Sequence, residues 1–285
     1  MSFLGCIVRL VVMKDAVLRK VLRLVSAPIL HRIRSLEGIH DGAECYIFGD
    51  GHSLKFASLG HLSDRIGIAV SAVPARSDFS LSDTRYWVLP EPFFFWPFSP
   101  KGHYPSRNKR RIIQKFYNPK YFVPRSTKRL LSVTNFPWGF NRNTYYFLDF
   151  FPGVRGLLGD VKDTGRFAGS VNASISLAIY LGFKRAYLVG FDYTHNPPMA
   201  KHWYEYGQPE GVDLVDYNRD FFKTMSNEIE LITVTLEDQD TFLPSITYKE
   251  LTGEDLVYKE NFELLRPDQL KALSAWPDYS VFPTD

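Results

Sequence analysis

The chain has 285 residues, of which 45% are hydrophobic and 15% aromatic, and this composition excludes a disordered protein. The formal net charge of +3 at pH 7 is too small to predict nucleic-acid binding. Two cysteines, Cys6 and Cys45, exclude a framework of disulfide bridges and favour a reducing cytoplasm. The length suits one large α/β domain with a smaller lid.

Residues 1–35 predict a basic amphipathic helix. Its apolar residues recur at near-helical spacing with Arg and Lys between them, at Leu10, Val17, Val21, Leu24 and Ile29. The apolar run at 3–13 carries Arg9 and is too short to span a bilayer. Such a helix either lies on an anionic membrane surface or packs on its own domain. The predicted location is therefore the cytoplasm, with peripheral contact to the inner face of the membrane as an alternative.

A buried strand that ends in a glycine turn is the first candidate nucleotide site. The apolar run at 45–48 stops at Gly49, Asp50, Gly51, His52 and Ser53. The glycines allow a tight turn and close approach of a ligand to the backbone, and Ser53 either caps a helix or donates to a phosphate oxygen. Asp50, however, places a carboxylate where an anion is expected. Strand-to-helix turns of any α/β protein show the same pattern, so an ordinary turn is the alternative to a nucleotide site.

Two further strands are predicted at 66–71 and 85–89, with a short helix at 54–62. Strands that alternate with short helices predict an α/β fold with a Rossmann-like, doubly wound, mostly parallel sheet. The ligand of such a sheet binds at the carboxyl ends of its strands. Ser71, at the end of the second strand, would then border the same crevice as Ser53.

The segment at about 93–150 is predicted to be an insertion, because its composition differs from that of the flanking strands. Residues 101–129 contain ten Lys and Arg and no Asp or Glu. Such a surface is either a solvated face or a binding surface for an anionic glycan, glycolipid or lipid headgroup. Aromatic residues follow it, and they either stack on sugars or fill a small core: Phe136, Trp138, Phe140, Tyr145, Tyr146 and Phe147.

A second informative stretch predicts a helix that begins near Ser170 and a strand at 184–189. The loop after this strand is Gly190, Phe191, Asp192 and Tyr193. At the carboxyl end of a parallel strand, Asp192 or Tyr193 would point into the crevice. Gly169 and Ser170, at the helix start, offer a second site for an anion or a sugar hydroxyl. An ordinary helix-to-strand connection with a solvated Asp is the alternative.

The rest of the chain completes the predicted organisation. A helix at 216–225 precedes a strand at 229–235, which is predicted to be the last strand. The main domain is placed at 36–251, with a lid at about 194–216. Residues 252–285 are predicted to be a C-terminal tail with a helix at 268–275 and no catalytic role.

Two stretches of this sequence resemble the bacterial family-42 sialyltransferases and their relatives. Those relatives include motility-associated glycosyltransferases and proteins similar to 6-hydroxymethylpterin diphosphokinase. The stretch YIFGDGHSLK is similar to the first phosphate-binding loop of the family, and GSVNASISLAIYLGFKRAYLVGFDY is similar to its central helix and strand. The resemblance covers about residues 36–251. It implies a domain that binds a CMP-sugar without a metal or other cofactor and transfers the sugar, with inversion, to a glycan or glycolipid acceptor.

The resemblance also implies roles for individual residues. Gly49, Gly51 and Ser53 would cradle the nucleotide end of the donor. The donor sugar or cytidine would contact Gly169, Ser170, Gly190, Phe191 and Asp192. His202 would act as general base on the acceptor hydroxyl, because the pKa of imidazole lies near working pH. The leaving phosphate would contact a tyrosine, with Tyr193, Tyr204 and Tyr206 as candidates.

Five positions depart from the family pattern. The tyrosine that the family has shortly after the GxD aspartate corresponds best to Thr194. The family has Asn at the position of Asp50 and Pro at that of His52. Its asparagines after the second and third strands have no counterpart here, where Ser71 and Pro90 lie nearest. Two alternatives to the glycosyltransferase therefore stay open. One is a diphosphokinase with Mg²⁺ near Asp50 and Asp192, and the other is a non-catalytic nucleotide-binding module at a membrane surface.

The histidines of the predicted lid can also be interpreted in other ways. Asp192, His195 and His202 are residue types that bind metals, but two prolines between the histidines break any helical register, so no metal site is predicted. His202 is either the general base or a histidine at the surface or core edge. Acidic residues nearby offer an alternative base, namely Glu205, Glu210, Asp213 and Asp216.

Overall fold

A computed structural model of the chain describes residues 27–90, 124, 126–137, 141–147, 169–211, 219–275 and 280–283. Within these ranges, eight strands form one parallel sheet and two short strands form an antiparallel pair. The strands are β1 (Glu44–Phe48), β2 (Ile66–Val70), β3 (Thr84–Leu89), β4 (Lys128–Ser132), β5 (Thr144–Phe147), β6 (Arg185–Val189), β7 (Met199–Ala200), β8 (Glu210–Gly211), β9 (Glu230–Thr235) and β10 (Ser245–Thr247). The helices are α1 (Ser170–Tyr180), α2 (Arg219–Met225), α3 (Tyr248–Thr252), α4 (Asn261–Leu264) and α5 (Pro267–Leu273).

The order of strands in the large sheet creates one switch point. The sheet reads β10-β9-β6-β1-β2-β3-β4-β5, so the chain runs outward from β1 to β5 and then returns to the other side of β1 at β6. Strand β2, which follows β1, and strand β9, which pairs with β6, therefore lie on opposite sides of the β1–β6 pair. In open parallel sheets, the crevice at the carboxyl ends of two such strands is the usual ligand site.

The sheet is covered on both faces, which explains the continuous apolar runs of its strands. Alternate residues of β1 enter different cores, with Tyr46 and Phe48 on one face and Cys45 and Ile47 on the other. Helix α1 packs on the Cys45 face, and α4 and α5 pack on the Tyr46 face. The predicted α/β, doubly wound parallel sheet is confirmed.

Two segments that were predicted to be peripheral contain elements of the main sheet or core. The predicted insertion at about 93–150 includes β4 and β5, which extend the sheet beyond β3. The predicted tail at 252–285 includes α4 and α5, whose Leu264 and Leu273 are buried in the core. Short strands flanked by charged or proline-rich sequence gave too little periodicity to be recognised.

Two smaller predictions also need correction. The helix expected at 54–62 is replaced by two short 3₁₀ segments, His52–Lys55 and Leu59–Leu62. The strand Glu230–Thr235 is not the last, because β10 pairs with it in parallel.

Most of the predicted N-terminal helix and of the basic stretch lies outside the described residues. The described end of the former is a 3₁₀ segment, His31–Leu36, whose Ile33 and Leu36 are buried in the core. Among the described helices, none combines the length and the apolar character needed to cross a membrane.

Candidate functional site

The two glycine loops meet at the switch point of the sheet. The loop after β1 and the loop after β6 are joined by backbone hydrogen bonds, from Gly49 N to Val189 O at 2.7 Å and from Gly51 N to Gly190 O at 2.8 Å. The backbone N–H of Ser53 donates to Asp192 Oδ2 at 2.8 Å, and the Ser53 hydroxyl also donates to this carboxylate. Stretches 139 residues apart in sequence therefore form one structure.

The Asp192 carboxylate occupies the donors that the sequence assigned to a phosphate. The side chain of Asp192 is buried, and both Ser53 donors point to it. The segment that starts at His52 is a single 3₁₀ turn, so it has no α-helix N-terminus to offer an anion. The predicted roles of Ser53 and Asp192 in binding the donor stay predictions. In this structure the pair joins the loops.

The glycines of the two loops allow this close contact. A Cβ on Gly49 would lie 2.4 Å from Gly190 O, closer than real Cβ contacts. Gly190 has φ +78°, a conformation that favours glycine. Phe191, predicted to contact the donor, is buried beside Gly49 and is only 1% exposed. Gly49, Gly190 and Phe191 thus shape the loops by packing, a role that the sequence pattern did not separate from ligand binding.

Asp50 turns its carboxylate toward the end of β2. It accepts hydrogen bonds from the backbone N–H of Ala72 at 3.3 Å and from Trp203 Nε1 at 3.3 Å. Ser71 also hydrogen-bonds to it. Burial raises the pKa of Asp50 to about 6, although nearby His202 and these hydrogen bonds act in the opposite direction.

Ser71 links the end of β2 to the start of α1. Its hydroxyl lies 3.2 Å from the Ser170 hydroxyl, and its carbonyl accepts from Trp87 Nε1 at 2.9 Å. Ser71 has φ 42°, a conformation uncommon outside glycine, and it is held there by these contacts. Gly169 precedes α1 with φ +99° and is exposed. The structure therefore places Ser71 in contact with both Asp50 and Ser170.

The segment that carries His202 pairs with the first loop. His202 forms an isolated antiparallel bridge with Gly51, and the Trp203 N–H donates to Asp50 O at 3.0 Å. Trp203 therefore contacts Asp50 through its backbone and through its indole. These contacts place His202 at the carboxyl ends of the strands, beside both loops.

The His202 imidazole is held by two neighbours. Its Nδ1 lies 2.5 Å from Glu205 Oε1, and its ring stacks on Tyr204 with centroids 4.8 Å apart and planes at 10°. The side chain keeps 42% of its surface exposed. Burial opposes the charged form, but the Glu205 hydrogen bond and the Asp50 carboxylate outweigh it and raise the pKa of His202. A half-exposed, oriented imidazole with a raised pKa is suited to accept a proton.

The predicted phosphate-binding tyrosines have different surroundings. Tyr204 is only 2% exposed because it lies under the His202 ring and against Trp203, so its main role here is to support the imidazole. Tyr193 is half-buried and packs against the core on the α1 side of the sheet. Tyr206 is half-buried, and its backbone N–H donates to Ser280 O.

Comparison with known proteins does not place this chain in a family. The chain matches no protein-family model, and no curated protein is significantly similar to it in sequence. Among solved structures it is similar to the sialyltransferase CstII from Campylobacter jejuni, determined in complex with a substrate analogue, cytidine-5'-monophosphate. The likeness has a TM-score of 0.45 at 14% sequence identity, and it covers 82% of this chain and 98% of that chain. We draw no function from a likeness this distant.

The remaining acidic and histidine residues do not form a metal site within the described part of the chain, where no cluster of three or more His, Cys, Asp or Glu could hold a metal ion. His195 is buried, and burial lowers its pKa although Asp192 acts in the opposite direction. Glu210 is exposed on β8, whereas Asp213 and Asp216 lie outside the described residues.

Sequence reasoning missed the contribution of Trp203. The residue is fully buried, and it connects the His202 segment to Asp50. The pattern HWYEY placed it next to the proposed base, but nothing in the sequence indicated that its indole N–H would meet a carboxylate 153 residues away.

Proposed function

We propose that this protein is an inverting, metal-independent glycosyltransferase that moves a sialic-acid-like sugar from a CMP-sugar to a glycan or glycolipid acceptor. The observation that carries the proposal is the position of His202. Its backbone forms a β-bridge with Gly51 of the first glycine loop, at the switch point of a parallel sheet, and its side chain is half-exposed. The sequence resemblance stated above supplies the donor class.

In the proposed reaction His202 acts as general base. It takes the proton from the acceptor hydroxyl as that oxygen attacks the anomeric carbon of the donor sugar. The bond from this carbon to the phosphate oxygen breaks, and CMP leaves with the electron pair. A single displacement of this kind inverts the anomeric configuration. The proton then passes from the imidazole to solvent.

Ligand-linked thermal stability tests the donor class. A nucleotide that binds only the folded protein stabilises it by about 2.7 kcal/mol at a concentration 100 times its Kd. We expect CMP and CMP-sialic acid to raise the Tm without added metal, and UDP-sugars to have no effect. A Tm increase that requires both ATP and Mg²⁺ would instead support the diphosphokinase. The described contacts give that alternative no support, because Asp50 and Asp192 both accept from protein donors.

Replacement of the base tests the reaction itself. His202→Ala is expected to lower the rate of CMP release from CMP-sialic acid, measured with a panel of glycan acceptors, by about 100-fold or more. The CMP-dependent increase in Tm should survive. His31→Ala is the control, because His31 is exposed and lies in another part of the fold. A full rate in His202→Ala would remove the assigned base, and nucleotide binding without turnover in the wild type would favour the non-catalytic module.

A further inference from the structure

Glu205 contacts His202 twice within one turn of the chain. A single oxygen, Oε1, accepts from the backbone N–H of His202 at 3.0 Å and lies 2.5 Å from Nδ1 of its ring. The turn is closed by a third hydrogen bond, from Glu205 N to His202 O at 3.1 Å. The Glu205 side chain is 17% exposed, compared with 42% for His202. Glu205 is therefore the more enclosed partner of the pair.

This geometry selects one tautomer of the neutral imidazole. A carboxylate that accepts from Nδ1–H leaves the lone pair on Nε2 and stabilises the imidazolium that forms when a proton arrives. The other acidic groups that act on the imidazole are Asp50 after β1 and Asp192 after β6. Lys201 is the nearby cation on the same segment and acts on Glu205. Glu205 hydrogen-bonds to Nδ1 of the His202 ring, and Asp50 and Asp192 act on the ring through their charges.

We infer that Glu205 is a positioning residue for the His202 base, which it orients and makes more basic through the hydrogen bond to Nδ1. This inference rests on the function proposed above. It also replaces the reading of Glu205 as an alternative base. Although burial opposes ionisation of Glu205, its hydrogen bonds with His202 outweigh burial and lower its pKa, which makes the carboxylate a weak proton acceptor.

Two substitutions separate the charge of Glu205 from its hydrogen bonds. Glu205→Gln removes the charge but keeps an amide oxygen at the same position. The backbone N–H of His202 requires an acceptor there, so the amide cannot flip its NH₂ group toward Nδ1 without losing that bond. The tautomer should therefore survive in Glu205→Gln while the imidazole becomes less basic. Glu205→Ala removes both effects.

The test combines imidazole NMR with kinetics. In protein carrying ¹⁵N-labelled histidine, Glu205→Gln should lower the pKa of His202 by about 1 unit and keep the Nδ1–H tautomer. Its kcat should fall about tenfold, and the acidic limb of the pH profile should move to lower pH. Glu205→Ala should lose the tautomer preference and about 100-fold in kcat. KM for the CMP-sugar should change little. Glu228→Gln is the control, because Glu228 is exposed and lies in another part of the fold.

The outcomes distinguish this inference from the proposed function. If His202→Ala is inactive but both Glu205 variants keep the wild-type pKa, tautomer and kcat, the role of Glu205 is refuted and the base assignment stands. If His202→Ala transfers sugar at the full rate, both the base assignment and the role of Glu205 are refuted. The NMR titration uses free protein, so it needs neither donor nor acceptor. Glu205→Gln preserves the contacts of the turn, so a folding defect in Glu205→Ala would still leave a decisive variant.

Discussion

Gly51 shows how one missing side chain sets the geometry of the site. A Cβ at this position would lie 2.6 Å from Gly190 O and 2.6 Å from Asp192 Cγ. The first is backbone, and the second belongs to a buried carboxylate held by both donors of Ser53. Moving either group away from an added methyl group would cost free energy. Gly51 also forms the bridge to His202, so an added methyl group would strain both contacts at once.

We therefore expect Gly51→Ala to destabilise the protein by about 3 kcal/mol, because the methyl group overpacks a site that cannot relax. Urea unfolding measures this as a lower midpoint with an unchanged slope. Gly211→Ala is the matched control, since a Cβ there meets nothing within 4 Å. Equal midpoints for the two variants would show that the loops can separate, and would contradict the tight contact.

The position of Asp192 could be predicted from the sequence, but its hydrogen-bond partner could not. Its position after β6 could be read from the sequence, because a glycine ends an apolar run there. Its partner could not, because a carboxylate at a strand end can face a ligand, a metal or solvent with the same local sequence. Only the approach of the two loops makes Ser53 its hydrogen-bond donor. The same holds for Trp203 and Asp50.

Among the elements, the sequence predicted those with a long or continuous apolar signal. Strands β1, β2, β3 and β6 are buried on both faces and appear as apolar runs. Strand β4 begins with Lys128 and Arg129, so it was read as part of a basic surface. Strand β5 consists of Thr and aromatic residues, which suit sugar stacking as well as a core. Helices α4 and α5 were missed as core elements because each is seven residues or fewer.

A buried ion pair attaches the C-terminal segment to the first loop. Lys55 Nζ lies 2.9 Å from Glu260 Oε1, and the two side chains are 0% and 13% exposed. Two backbone hydrogen bonds run alongside, from Val257 N to Phe56 O and from Lys259 N to Lys55 O. Burial lowers the pKa of Lys55, and Glu260 partly offsets this effect. The carboxylate therefore offsets part of the cost of burying the ammonium.

Glu260→Gln should destabilise the protein by about 3–5 kcal/mol, because it removes the carboxylate that is paired with the buried Lys55 ammonium. Thermal unfolding at pH 7 measures the loss. Lys249→Ala is the control, since it breaks a pair with Asp255 whose side chains are 69% and 82% exposed, and its Tm should stay at the wild-type value. If the two variants behaved alike, the C-terminal segment would not depend on Lys55.

For the whole molecule, topology explains why the site could be located before its contacts were known. The two glycine loops were predicted to share one crevice because both follow parallel strands, and in the structure the two loops are in direct contact. The strand order then adds what the sequence lacked, namely that β1 and β6 are neighbours at the switch point. The lid residues reach the same place only because His202 pairs with Gly51.

The loop after β1 carries two buried groups with opposite effects on stability. Burial raises the pKa of Asp50 from 3.8 to about 6 and lowers that of His52 from 6.5 to about 4. Folded Asp50 binds more protons than unfolded Asp50, so its contribution to stability falls as pH rises from about 4 to about 6. Folded His52 binds fewer, so its contribution rises between about pH 4 and pH 6.5. Each shift corresponds to about 3 kcal/mol, so the two nearly cancel.

Single substitutions should reveal the separate pH-dependent contributions of Asp50 and His52 to stability. Asp50→Asn keeps an acceptor for Trp203 and Ala72. We expect its free energy of unfolding to rise relative to that of the wild type by up to about 3 kcal/mol as pH rises from about 4 to about 6. The free energy of unfolding of His52→Gln should rise relative to that of the wild type as pH falls over the same range. The wild type loses stability there because its buried His52 binds fewer protons than it does in the unfolded chain. Urea unfolding at intervals of half a pH unit measures both differences. Curves parallel to that of the wild type in both variants would show that neither group titrates differently in the folded protein, and that the loop is more open to water than its burial indicates.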